Sequence, residues 1–107
     1  MEDEGARHFT TEVNAFEVLV AAYAGGKLDP RRLTKTVGLL GRLHVLPLDR
    51  AGALGAAEIS GKLRAAGRTV GVLDILTAGI ARASGCDSIV TRDKHFRRIP
   101  GIRMETY

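Results

Sequence analysis

GVLDILTAGIARASGCDSIVTRD, residues Gly71 to Asp93, holds the part of this sequence that decides the fold. Its first half, Val72 to about Ala83, is apolar almost all round, which predicts a buried helix. Its second half contains Ser88-Ile89-Val90-Thr91, a short β-branched run that reads as a strand. The same helix-then-strand order extends outward in both directions. Toward the C-terminus, Lys94 to Ile99 reads as a helical turn ended by Pro100, and Ile102 to Thr106 as a last strand. Toward the N-terminus, Ala51 to Ala66 reads as a helix capped by Asp49 and stopped by Gly67. His44 to Leu48 reads as a strand, with Pro47 placing it at an edge or at a strand end.

Before that strand, Asp29-Pro30 is a strong helix start, with Asp29 as N-cap and Pro30 at the first helical position, and the helix runs to about Leu43. Thr11 to Ala24 reads as an amphipathic helix in which Val13, Phe16, Val20 and Tyr23 recur on the inward face, and Gly25-Gly26 ends it. Strands alternating with helices predict an α/β fold around a parallel sheet. Only three strands are clear, with His8 to Thr10 as a short fourth. That is thin for a doubly wound sheet, so a central strand is expected to be missing.

Composition narrows the classes. The chain has 107 residues, 45% of them hydrophobic, which is one domain spanning 1–107. No apolar run is long enough to predict a transmembrane helix. The acidic start Met1-Glu2-Asp3-Glu4 lacks the basic-then-apolar order of a signal peptide. The single cysteine, Cys86, cannot form an internal disulfide, so a reducing cytoplasm is the expected compartment. The net charge of +4 suits an anionic partner without requiring one. The chain has no Gln and a single Asn, Asn14, a depletion expected of a thermophilic source or, in part, of a GC-rich genome.

Three acids sit where apolar residues are expected. On a helix Val13, Glu17, Val20 and Ala24 share a face, which turns Glu17 toward the core side. A Glu at the edge of an apolar stripe more often leans into water. Asp74 interrupts Val72-Leu73-Asp74-Ile75-Leu76, with small Ala78 and Ala81 on its side. A buried charge there must cap, pair or coordinate a cation, and capping a helix that starts at Ile75 is the simplest of these. Asp93 follows a strand at its carboxyl end, where open parallel sheets bind ligands, although it too could cap the turn Lys94 to Ile99. Three carboxylates from distant segments form an oxygen donor set suited to Mg²⁺ or Mn²⁺, and no Cys/His spacing points to Zn²⁺.

Three stretches resemble, in order, the conserved blocks of the PIN-domain family of metal-dependent ribonucleases, in its VapC-like toxin branch. Thr10 to Leu19 is similar to the block carrying the family's second acid, with Glu17 in its place. Gly71 to Ala78 is similar to the block of the third, with Asp74. Ile89 to Phe96 is similar to the block of the fourth, with Asp93 preceded by Thr91. The Ala-rich helix Ala56 to Gly67 and the ending Ile99-Pro100-Gly101-Ile102 also look typical.

The resemblance implies a PIN-like three-layer arrangement, a short parallel sheet with helices on both faces. It implies an endoribonuclease that hydrolyses RNA phosphodiester bonds with Mg²⁺ or Mn²⁺. Glu17, Asp74 and Asp93 would hold the metal and Thr91 would support them through its hydroxyl. It further implies a small antitoxin protein as partner and a homodimer or higher oligomer. The family's first strand, which ends in a metal-binding aspartate, has no counterpart here, since Asp3 follows no strand-like residues. The chain is therefore expected to be N-terminally truncated relative to the family. That departure keeps two rival readings: a catalytically inactive PIN-like module that binds RNA or protein, and a truncated reading frame.

Arg92, Lys94, Arg97 and Arg98 cluster near the proposed site and could hold RNA phosphates. Arg31, Arg32 and Lys35 form a second group that reads more simply as a solvated face. The five aromatics are too scattered to form a stacking platform for single-stranded RNA. His8, His44 and His95 have no metal-ligand spacing, and Cys86 reads as a packing residue.

Overall fold

The computed structural model describes residues 8–86, 88–91 and 103–106, with Thr91 and residues 103–106 described by backbone alone. The element order is β1 (Phe9–Thr11), α1 (Glu12–Val20), a 3-10 segment (Ala21–Gly26), α2 (Pro30–Leu40), β2 (His44–Leu46), α3 (Arg50–Ala65), α4 (Val72–Ala83), β3 (Ser88–Thr91) and β4 (Arg103–Thr106). This is the α/β alternation with short parallel strands that the sequence predicts.

Local signals account for most of the boundaries. The Asp29 carboxylate accepts from the Arg32 amide at 3.1 Å, with Pro30 opening α2. The Asp49 carboxylate accepts from the Gly52 amide at 2.9 Å and starts α3. Each bond satisfies one of the orphan amides of a first helical turn. Helix α2 stops at Leu40 rather than near Leu43: after Gly41 the amides of Arg42 and Leu43 bond three residues back, to Leu39 and Leu40, instead of four. Beyond α1 the chain tightens into the 3-10 segment and breaks at Tyr23 and Ala24, before Gly25 turns it with φ of 78°. The expected turn Lys94 to Ile99 lies outside the described residues.

The strands do not form one continuous ladder. Strand β1 pairs in parallel with β2, Thr10 opposite Val45, and β3 pairs in parallel with β4, Val90 opposite Glu105. Among the described residues these are two separate two-stranded sheets. They stand side by side, with β1 against β3.

The core gathers Val13, Leu46, Ile59, Leu63, Ala78, Ile80, Ala81 and Ile89. Helices α3 and α4 form its tightest contact. A Cβ placed on Gly79 would stand 2.5 Å from both the Ala56 amide nitrogen and the Gly52 carbonyl oxygen. Only a hydrogen at that position lets the two helix backbones touch. The exposed Arg82–Glu58 pair at 2.7 Å spans the same two helices, a contact of small energetic weight at the surface.

Two expectations about faces need correction. Helix α4 is not buried all round: Asp74 and Thr77 through Ala81 are buried, while Val72 at its start is 67% exposed. On α1 and the segment after it, Val13 is buried, but Phe16 (58%), Val20 (48%) and Tyr23 (51%) are exposed. The inward face of this stretch is instead made of small residues, Ala15 and Ala22, beside Val13 and Asn14. That inner side lies toward β1 and α4, against which α1 packs. Substituting Phe16 by Ser should therefore shift the unfolding free energy by less than about 1 kcal/mol. A core phenylalanine would cost roughly 3–5 kcal/mol on truncation, so urea denaturation separates the two cases.

Candidate metal and phosphodiester site

Strand β1 is the meeting point of the two helices that carry Glu17 and Asp74 and of strand β3. Helix α1 leaves β1 directly and bears Glu17. Helix α4, which bears Asp74, packs against both α1 and β1. Strand β3 lies against β1, and its carboxyl end leads in sequence to Asp93. Local chemistry fixes the first of these junctions. Thr11, fully buried, caps α1 by accepting the Asn14 amide at 3.1 Å, which turns the chain from strand to helix within one residue. Glu17 then falls a turn and a half later and is half-buried.

Asp74 occupies the third position of α4, behind a Gly71 cap that offers no side chain. The Ile75 amide bonds to the Gly71 carbonyl at 3.1 Å, so the helix already runs at Asp74, which is not the cap of a helix starting at Ile75. Its Oδ2 lies 3.8 Å from where a Cβ on Gly71 would stand, so the carboxylate curls back over the helix start. There the helix dipole favours negative charge by about 0.3–1 kcal/mol. The residue is only 9% exposed.

The structure thus brings the helices bearing Glu17 and Asp74 together. Thr91 is in strand register, opposite Thr106. Asp93 lies outside the described residues, as do Arg92, Lys94, Arg97 and Arg98. Among the described residues no group of three or more His, Cys, Asp or Glu converges as a metal cage. The donors that are present are carboxylates on two packed helices, one of them buried at a helix N-terminus. A hard divalent cation with water completing its shell suits such a set, whereas a thiophilic metal does not. Arg31, Arg32 and Lys35 are exposed on α2, which buries none of its residues, in line with a solvated face.

Two buried polar residues near this junction escaped the reading of the sequence. Asn14 is 5% exposed on the inner side of α1, and Thr10 is buried in β1. The available signal was the polar interruption of the Val13-to-Phe16 stripe and the pair of threonines before the helix.

A family model described as PIN domain matches residues 1–102. The chain is 32% identical over 81 residues to the tRNA(fMet)-specific endonuclease VapC of Shigella flexneri, over 76% of this chain and 61% of that protein. It therefore spans less than two thirds of the length of this curated relative. Among solved structures it resembles DNA-bound VapBC from Salmonella typhimurium, with a TM-score of 0.76 and 31% identity over 92% of this chain and 74% of that one. It also resembles VapBC-5 of Mycobacterium tuberculosis, a member of the VapBC family of toxin-antitoxin systems. There the TM-score is 0.70 and the identity 26%, over 91% of this chain and 78% of that one.

Proposed function

The chain belongs to the PIN-domain family, and from that premise we propose that it is a metal-dependent endoribonuclease, the toxin of a toxin-antitoxin pair. The observation that carries this reading is the meeting of the acid-bearing segments at β1, with Asp74 buried at the N-terminus of α4 beside the helix of Glu17. The likeness to a tRNA(fMet)-specific endonuclease supports RNA as the substrate class. Similarity to VapBC complexes supports a small antitoxin protein as partner. The exposed Phe16 and Val20, one turn apart on α1, form the surface we assign to that partner, since exposed apolar side chains grouped in this way mark protein interfaces. No described helix is long and apolar enough to cross a membrane.

In this reading Glu17, Asp74 and Asp93 hold Mg²⁺ or Mn²⁺. The chemistry such a cation supplies when bound is activation of a water and stabilisation of charge at the scissile phosphate. Thr91 supports the site through its hydroxyl. Arg92, Lys94, Arg97 and Arg98 hold the flanking phosphates, a contribution that weakens with salt. The chain acts as a single domain, associates as a homodimer or higher oligomer, and works in the cytoplasm.

Calorimetric titration with Mn²⁺ and a gel assay of RNA cleavage test the proposal together. Three carboxylates give an octahedral cation fewer charged ligands than a four-acid site would. Binding should therefore be weak, with a Kd above about 1 μM, and cleavage should stop on addition of EDTA. Cleavage that persists in EDTA removes the metal-dependent reading; no Mn²⁺ binding and no cleavage at all removes the enzyme reading and leaves a PIN-like binding module.

A further inference from the structure

We propose that the outward side of α2 is a second RNA contact, on which Arg31, Lys35 and Arg42 hold phosphates of the substrate away from the scissile bond. The proposal rests on the ribonuclease reading above. The stretch Pro30 to Leu48 carries four cations, Arg31, Arg32, Lys35 and Arg42, and no acid. The net charge of the chain is +4, so its whole excess resides in this stretch and the remainder is neutral. All four residues are exposed, and among the described residues none of them has an ion-pair partner. The exposure that makes this a solvated face in the free protein leaves the four charges open to an anion.

The charges stand where α2 itself gains nothing from them. Arg31 and Arg32 occupy the first helical turn, where the dipole disfavours cations, and the last turn carries none. Arg31 and Lys35 are like charges one turn apart, an arrangement that destabilises a helix. Helix α3 shows the opposite pattern: Lys62 and Arg64 lie in its last turn, and Lys62 pairs with Glu58 at 3.7 Å. Charges that work against their own helix point to a partner outside it.

The geometry fits a polyanionic strand better than a single ion. Arg31, Lys35 and Gly38 follow one another on one face, and Arg42 continues that line in the turn that closes the helix. From Arg31 to Arg42 the line runs roughly 16 Å at helical rise. Gly38 has nothing within 4 Å of where its Cβ would stand, so no side chain interrupts the middle of the line. Helix α2 packs against α1, which bears Glu17, so the cationic line and the proposed site belong to neighbouring elements.

Fluorescence anisotropy of a labelled tRNA in EDTA, across a salt series, tests the proposal and reads binding without cleavage. Each phosphate contact adds about 0.7–0.9 to the slope of log K against log salt, equivalent to roughly a fivefold gain in affinity near 0.15 M salt. Arg31→Gln, Lys35→Gln and Arg42→Gln combined should therefore take about 2–3 from the slope and lower the affinity roughly a hundredfold. Glutamine keeps the helix propensity of these positions, and like-charge repulsion is relieved, so this variant should melt no lower than the parent. Arg50→Gln, Lys62→Gln and Arg64→Gln combined remove the same charge from α3 and should leave the slope within about 0.5 of the parent's.

A parent that binds no tRNA overturns the proposal without recourse to any variant. Unchanged tRNA affinity in the α2 variant overturns it as well and leaves the face to an acidic protein. An equal loss in the α3 control does the same, because net charge alone then accounts for binding. So does a marked fall in the melting temperature of the α2 variant, which assigns the cations to the fold. Should the expected slopes appear while Mn²⁺ elicits no cleavage, the enzyme reading fails and the RNA surface stands. Cleavage by the parent together with an unchanged slope in the α2 variant means the reverse.

Discussion

Gly79→Ala should lower the melting temperature by roughly 12–24 °C. The added methyl would stand 2.5 Å from the Ala56 nitrogen and the Gly52 oxygen. These are backbone atoms of α3 and cannot rotate away. Relief requires α3 and α4 to separate along their whole contact, which loosens Ile59, Leu63 and Ile80 in the core. Overpacking of this kind costs about 3 kcal/mol or more when the obstacle is rigid, and a domain of this size loses ~4–8 °C per kcal/mol. Gly61→Ala is the matched control. It lies in the same helix α3 with open space around its Cβ, so it should gain about 0.5–1 kcal/mol from helix propensity. Scanning calorimetry of both variants decides the matter; equal melting temperatures would mean that the helices do not cross at Gly79.

Asp74→Asn should reduce RNA cleavage more than a hundredfold while leaving the fold in place. Loss of a group that merely supports a metal ligand already costs roughly 10–100-fold in affinity or activity, and Asp74 is assigned the direct role. The amide preserves the shape of the side chain over the N-terminus of α4 but removes its charge. Two stability effects oppose each other in the metal-free protein. The helix dipole loses a favourable partner worth about 0.3–1 kcal/mol. Against this, a mostly buried carboxylate no longer has to be desolvated, and repulsion from the other acids is relieved. The metal-free variant should therefore be at least as heat-stable as the parent. Loss of activity that tracks a large fall in melting temperature would identify Asp74 as a structural residue of the helix start.

The boundaries of α4 and β3 were legible in the sequence to the residue, because an apolar run and a β-branched run stand close together with turn residues between them. The start of α2 was equally legible from Asp29-Pro30; Asp49 was legible as the cap of α3, which starts at Arg50, one residue before the expected Ala51. The buried side of α1 was not. Periodicity shows that Phe16, Val20 and Tyr23 share a face but carries no information about what that face meets. Here the small residues Ala15 and Ala22 take the buried side, beside Val13 and Asn14. Glu17 and Asp74 stood out in the sequence as acids within apolar segments, and the structure puts them on two packed helices. Whether Asp74 caps a helix or lies inside its first turn stayed open in the sequence, because Gly71 can open a helix without offering a side-chain cap. Thr10 was hidden for a different reason: its hydroxyl donates to the Val90 carbonyl, 80 residues away, and no local pattern announces such a bond.

That separation has a consequence for how the chain reaches its native state. The α3–α4 pair and the β3–β4 ladder are built from segments close in sequence, whereas the β1–β3 seam closes a loop of 80 residues. Closing it costs about 1.5 kcal/mol more chain entropy than closing the 15-residue span from Ser88 to Arg103. Contacts between distant segments are repaid only after that cost has been met. The two half-sheets therefore assemble first as separate units and the seam is sealed last.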